Sequence, residues 1–308
     1  MGDQGDAGSS QQARAPTRSQ LHGLLGLMLL IWAANYLFAK LAVREVPGFL
    51  VACLRTVLSG LFMLPVYRLA ARKRDPALRP WTGRDLPRLA AVGVLGIVGN
   101  QVLFVVGLSH TSVAHGSLVV ATGPVMVLLG TAALGHERLS RSRAVGMVMA
   151  AAGVATLQLG HKDGIAAGLA GDATMLASAA LFAGFSIFGK EISAELGSLA
   201  VNAIAFWGGA LLLLPYAAWG LWRFGPGNVS ASAWVGILYM SVAPSIVGYL
   251  IYSHALRWLP ASRVASVTYL QPVLATLLAV VFLGERPGIA FLTGAAIILA
   301  GVLVVQRR

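Results

Sequence analysis

Charged side chains are scarce in this sequence, 11% of 308 residues, and acids are the scarcest: 11 Asp and Glu against 23 Lys and Arg. A chain this poor in ionisable groups and 57% hydrophobic cannot present a polar surface to water on all sides. The single cysteine, Cys53, falls inside an apolar run, which excludes an intramolecular disulfide and any multi-cysteine metal site. Histidines such as His115 and His254 stand alone, so neither a metal nor a cofactor is expected. No Gly-x-x-x-x-Gly-Lys-Ser/Thr loop is present, which excludes ATP use by that route. An intramembrane enzyme would need a His-Glu-x-x-His helix or a carboxylate pair within an apolar run; neither occurs, and no enzymatic activity is expected. Missing too is the period-two alternation of a membrane β-barrel.

What the sequence has in quantity is long apolar runs. About 20 apolar residues cross a hydrocarbon core as a helix. Ten such runs recur, at 22–43, 49–70, 89–109, 113–134, 144–160, 165–189, 198–222, 233–255, 263–283 and 288–305. Backbone polar groups in lipid must be satisfied internally, so the expected fold class is an all-α polytopic membrane protein with ten transmembrane helices. If the N-terminus is cytoplasmic, inside segments carry 17 basic residues and outside segments 5, with Arg55 left within a span. That bias puts both termini in the cytoplasm. It also explains the net charge of +12 as a topology signal, so lipid and not nucleic acid is the expected partner of the basic loops.

The runs are duplicated. Ser117 to Glu137, with Pro124 inside, returns 148 residues later as Ala265 to Glu285, with Pro272 inside. Gly146 and Gly153 match Gly294 and Gly301 at the same offset. Trp32/Phe182, Phe38/Phe188, Lys40/Lys190 and Leu64-Pro65/Leu214-Pro215 match at an offset of 150. Residues 1–20 read as a disordered polar tail. After it come two five-helix repeats, 21–160 and 165–306, joined by 161–164. The first run is too long for a signal core and is itself duplicated, so it is expected to be retained. Five crossings is an odd number, so direct repeats must lie in opposite orientation, and two inverted five-helix repeats are expected. Secondary transporters commonly use this plan and hold substrate near the midplane between the halves.

Polar residues within the runs mark candidate site positions. In helix 8, Ser241, Ser245, Gly248, Tyr249 and Tyr252 fall within about 100° of arc. The corresponding stripe of helix 3 holds Gly93, Ile97, Asn100, Gln101 and Phe104. A polar stripe in a lipid-spanning helix faces protein or a water-filled cavity; the two related stripes point to one shared site, against the alternative of polar packing between helices. Helix 9 adds Ser262, Ser266, Tyr269 and Thr276 on one side, with Gln271 nearly opposite. Pro124 and Pro272 free the carbonyls of Val120 and Thr268. Trp32, Asn35 and Tyr36 share a face of helix 1, and the Asn35 amide needs partners. Arg55, two turns into helix 2, either snorkels to the interface or pairs with a substrate carboxylate or gating group. The candidate substrate-binding set is Trp32, Asn35, Arg55, Asn100, Gln101, Ser245, Tyr249, Tyr252, Ser266 and Tyr269. Lys40, Lys190 and Asp172 suit their helix ends, and Glu137 and Glu285 read as local ion pairs or caps.

Two such repeats with Trp-Ala-Ala-Asn35-Tyr-Leu-Phe-Ala-Lys40 in helix 1 resemble the drug/metabolite transporter superfamily, specifically its EamA-domain branch. Arg55 in helix 2, Gly-His-Glu137-Arg-Leu-Ser after helix 4, Gly171-Asp172 opening helix 6 and Leu-Gly-Glu285-Arg-Pro after helix 9 fit the same pattern, over residues 21–306. The usual Gly-Glu after helix 4 is here His136-Glu137. The resemblance implies a secondary transporter of a small-molecule substrate, often an exporter of amino acids or related compounds, working through a cavity between the halves. The implied location is a bacterial cytoplasmic (inner) membrane, as monomer or homodimer. A passive channel or lipid scramblase stays open; substrate-dependent alternation of access separates a carrier from both. Small multidrug exporters of the superfamily are known for a membrane-embedded glutamate in the first helix. Here no acid lies between Leu21 and Val43, and Asp172 is the only carboxylate within the ten runs. Proton exchange on a buried carboxylate is therefore not expected, and any proton dependence falls to a histidine such as His115.

Overall fold

A computed structural model describes residues 16–72, 78–110, 119–138, 140–158, 169–274, 277–278 and 289–306. Among these, all regular structure is helical: α1 (Arg18–Val43), α2 (Gly48–Ala71), α3 (Gly83–Ser109), α4 (Gly123–Ala133), α5 (Arg141–Gln158), α6 (Leu169–Leu196), α7 (Ser198–Phe224), α8 (Ala231–Trp258), α9 (Ala261–Ser266, continued by a 3-10 turn at Val267–Leu270) and α10 (Ile289–Gln306). Six of them, α1, α2, α3, α6, α7 and α8, are long and apolar enough to cross a membrane. Shorter apolar helices are α4 and Leu292–Val305 within α10. The tail to residue 15, the connection 161–164, His115, Thr276, Glu285 and Arg286 lie outside the described residues.

Local chemistry fixes the helix ends. Thr17 and Gln20 form a reciprocal capping box at the start of α1. Ser230 caps α8 by accepting from Ala233 N, and Glu45 accepts from Ser230 N and Oγ at 3.0 and 2.7 Å. The connection expected over 71–88 is shorter than that, because helical structure already begins at Gly83. Asp85 accepts from Thr82 N at 2.7 Å, and Pro87 sits in the first turn of the α-helical part, where its missing N–H costs nothing. Arg79 pairs with Asp85 and Glu195 at 2.6 and 2.8 Å, and these carboxylates raise its pKa above the ordinary arginine value.

Packing links early helices to late ones. α1 lies against α8, α6 against α3, and α2 against α7. α5 and α10 meet through glycines. A Cβ at Gly146 would stand 2.7 Å from Gly301 O, and one at Gly153 would stand 2.8 Å from Gly294 O. Small residues permit this close approach, which supplies dispersion contacts where lipid gives no hydrophobic drive between helices. Lys40 Nζ donates to Leu108 O at the end of α3 (2.9 Å), and Lys190 Nζ donates to Leu256 O near the end of α8 (2.9 Å). Each lysine thus satisfies a terminal carbonyl of a neighbouring helix.

Two helices are wound unusually. α3 is π-helical over Ala91–Gly99 and α8 over Ala243–Gly248. Such wide turns release backbone groups and commonly accompany functional sites. At one end of the bundle, Glu137 just beyond α4 accepts from Arg143 Nη1 (2.8 Å), from Ser262 N at the start of α9 (3.2 Å) and from Ser262 Oγ. Outward faces are apolar: Leu211 is 74% exposed and Trp222 77%. In water these would be a liability; against lipid they are the expected surface.

Candidate functional site

Helices α1, α2, α3, α6 and α8, with segments around α4 and α9, line a cavity of about 80 Å³. One water needs roughly 10–15 Å³ on this measure, so the space admits several waters or a compact solute. α1 contributes Trp32, Asn35 and Tyr36, which share one face at helical spacing. α3 contributes Asn100, Gln101 and Phe104, and α8 contributes Pro244 and Tyr249. Asn100 and Gln101 directly follow the π-helical stretch of α3, Pro244 lies within that of α8, and Tyr249 directly follows it. Pro244 O accepts from Trp32 Nε1 at 3.2 Å. Gly248 leaves room for that indole, and a Cβ there would run into Trp32 Nε1.

The polar wall is only partly satisfied. Arg55 is 2% exposed, so it does not snorkel; its Nε donates to Ser245 Oγ at 3.0 Å. Ser245 Oγ in turn shares its proton between Gln101 Oε1 (2.9 Å) and Met240 O (2.6 Å). Tyr249 OH donates to Asn100 Oδ1 (2.6 Å), and Asn100 Nδ2 donates to Ser178 O and Oγ (2.8 and 2.9 Å). Three buried atoms of cavity-lining residues have no partner: Arg55 Nη1, Gln101 Nε2 and Asn35 Oδ1. Among the described residues no carboxylate lines the cavity. A buried guanidinium and two amides without full satisfaction are costly unless something else completes them.

Of the sequence-derived candidates, Trp32, Asn35, Arg55, Asn100, Gln101 and Tyr249 line this cavity together. Ser245 stands directly behind it, bridging Arg55 and Gln101. Tyr252 is one layer further back: its OH is 2.6 Å from Ser186 Oγ and its ring packs 4.9 Å from Phe182. Ser266 and Tyr269 point elsewhere. Ser266 Oγ donates to Arg263 O, and Tyr269 is buried with Ala121, Leu128, Met147 and Ile298. The opposite side of this segment, Thr268 and Gln271, faces the cavity. The serine side is engaged within the protein: Ser262 is taken by Glu137 and Ser266 by the Arg263 carbonyl. Sequence reasoning also missed Ser178, Ala179 and Phe182 of α6 and Gly123 and Pro124 of α4 as lining residues. Phe182 carried a usable signal, since it is the duplicate of Trp32; the two rings meet edge-on at 5.6 Å.

The EamA-like transporter family model matches the chain twice, over residues 22–158 and 169–307. A probable terminal-alkyne amino-acid exporter of Streptantibioticus cattleyicolor is 31% identical over 73% of this chain and 74% of its own length. A probable amino-acid metabolite efflux pump of Salmonella typhimurium is 27% identical, covering 93% of this chain and 95% of that one. A solved crystal structure of a protein 22% identical in sequence superposes with a TM-score of 0.74 over 94% of this chain and 97% of that chain, a likeness of fold. With both halves matched, the chain belongs to the EamA-like transporter family and is an integral membrane transporter of the drug/metabolite type.

Proposed function

We propose that this protein is a secondary exporter of small zwitterionic metabolites, amino acids or close relatives, working by alternating access in a bacterial cytoplasmic membrane. The observation that carries the reading is the cavity itself: both family-matched segments wall it, and it holds a buried arginine and no acid among the described residues. A cationic wall favours cargo that brings a carboxylate, and the small volume favours a compact one. The relatives named as exporters of amino acids and their metabolites fit the same class.

The architecture we propose for it is ten crossings in two inverted five-helix repeats, 21–160 and 165–306, with both termini cytoplasmic. Paired features support the duplication. The acceptors of Lys40 and Lys190, Leu108 and Leu256, are related by the same 148-residue offset as the proline segments. The π-helical stretches of α3 and α8, and the internal Pro65 and Pro215 of α2 and α7, also correspond. An odd number of crossings per repeat then sets the halves in opposite orientation.

Counterflow tests the reading. Purified protein in liposomes preloaded with millimolar unlabelled neutral amino acids should take up external labelled amino acid faster than empty liposomes do. A carrier that exchanges cargo gives this trans-stimulation; uptake of equal rate from both liposome types is the signature of a passive channel and would refute the proposal.

A further inference from the structure

We infer that the cavity reads the two charged ends of a free α-amino acid with separate groups: Arg55 and Gln101 take the carboxylate, and Asn35 takes the ammonium. The inference rests on the proposed function and assigns the roles within its site. Its basis is the chemistry of the three unpartnered atoms. Arg55 Nη1 and Gln101 Nε2 are donors, and Asn35 Oδ1 is an acceptor. All three residues are at least nine-tenths buried, at 2%, 3% and 6% exposure, and all three line the cavity. Two donors with one full positive charge complement a carboxylate, which accepts and cannot donate. A single acceptor complements an ammonium, which donates and cannot accept.

The fixed partners set the division. Ser245 holds Arg55 through Nε, which leaves the Nη side of the guanidinium for a ligand. The same hydroxyl takes Gln101 Oε1, which leaves the Gln101 amide nitrogen for a ligand as well. One serine on α8 therefore orients both carboxylate-binding donors, which come from α2 and α3. Asn35 belongs to α1, where it neighbours Trp32 and Tyr36 on the same cavity face. An ammonium at Asn35 also meets aromatic faces, a favourable setting for a cation. The rest of the lining carries no charge: Phe104, Val120, Phe182 and the Tyr249 ring are apolar or aromatic, and Asn100, Ser178, Thr268 and Gln271 are neutral polar groups. The ligand class that fits is an α-amino acid with both α-groups free and a small uncharged side chain. Amines, simple carboxylates and amino-acid esters each leave one end of the site unpaired, which is the discriminating condition.

A matched series tests this on the full-length protein in detergent, with binding read by scintillation proximity and by quenching of tryptophan fluorescence. The probes are L-norvaline, its methyl ester, n-butylamine and pentanoate. Norvaline should bind at least tenfold more tightly than any of the other three. Arg55→Gln should weaken norvaline by roughly 10- to 100-fold, the range of a lost charge-assisted hydrogen bond, while butylamine should bind no more weakly than to the parent. Asn35→Leu should weaken norvaline but not pentanoate. Arg55→Lys keeps the charge and covers the case in which Arg55→Gln does not fold; it should bind norvaline more weakly than the parent and more tightly than Arg55→Gln where that variant is stable. Ester or butylamine binding as tightly as norvaline would overturn the role of Arg55, and pentanoate binding as tightly would overturn that of Asn35. Should no member of the series bind while liposomes still show counterflow of another solute, the amino-acid assignment falls and the carrier reading stands. Absence of both would sink the two together.

Discussion

Tyr249 and Tyr252 lie a few residues apart on α8, each with its hydroxyl in one short hydrogen bond, yet only the first lines the cavity. Replacing either by phenylalanine leaves a buried acceptor or hydroxyl without its partner, at a cost of about 1–3 kcal/mol. Both variants should therefore melt at lower temperature than the parent. Only Tyr249→Phe frees Asn100 Oδ1 inside the cavity, so only it should raise the KM of export; equal kinetic effects of the two variants would mean that the hydroxyl layer acts as a structural unit. Six of the candidate positions were legible because an amide, a guanidinium or an amphipathic ring within an apolar run has few uses other than a buried network or a cavity. Thr268, Gln271 and Phe182 were not legible in that way. The serine side of α9 is turned to Glu137 and not to the cavity, and that contact is not written in helical periodicity.

Among the elements, α4 and α9 are the ones whose joint geometry couples the cavity to one end of the bundle. Gly123 and Pro124 of α4 line the cavity, as do Thr268 and Gln271 beyond the start of α9. Their far ends are tied where Glu137 accepts from Ser262 N and Oγ. A carboxylate at a helix N-terminus accepts from the exposed N–H groups there, and Arg143 at 2.8 Å orients it. The proposed alternating access predicts that this tie opens in one of the two states. Glu137→Gln removes the charge-assisted part of the bond, so a cysteine placed at Ala265, 1% exposed, should react with a membrane-impermeant thiol reagent about tenfold faster than in the parent, both in a Cys53→Ser background. An unchanged rate would show that the tie holds α9 without controlling access. Sequence periodicity located these helices but not their ends. It began the third helix at 89, whereas the Thr82–Asp85 box starts helical structure at Gly83, because caps override the point at which hydrophobicity sets in.

At the scale of the whole molecule, the charge distribution makes a claim about energy coupling. Asp85, Glu191 and Glu195 are engaged with Arg79 and Arg88 at one end, and Glu137 is held by Arg143 and Ser262. Asp172 sits in the first turn of α6 and is not among the residues that line the cavity. With no acid lining the cavity among the described residues, a proton has no carboxylate there on which to compete with cargo. The fixed positive charge of Arg55 also disfavours cationic cargo. Export should then run down the metabolite's own gradient. In the proposed orientation, a reporter fused in the connection between α2 and α3, ahead of Gly83, should be cytoplasmic and one at 161–164 external, so that proteoliposomes of known sidedness can be loaded from either face. Counterflow of labelled norvaline should proceed at the same rate with and without an imposed pH gradient, and Asp172→Asn should leave it unchanged. Sustained uphill accumulation that needs the pH gradient and disappears in Asp172→Asn would make Asp172 the coupling residue and reverse the argument from the missing acids.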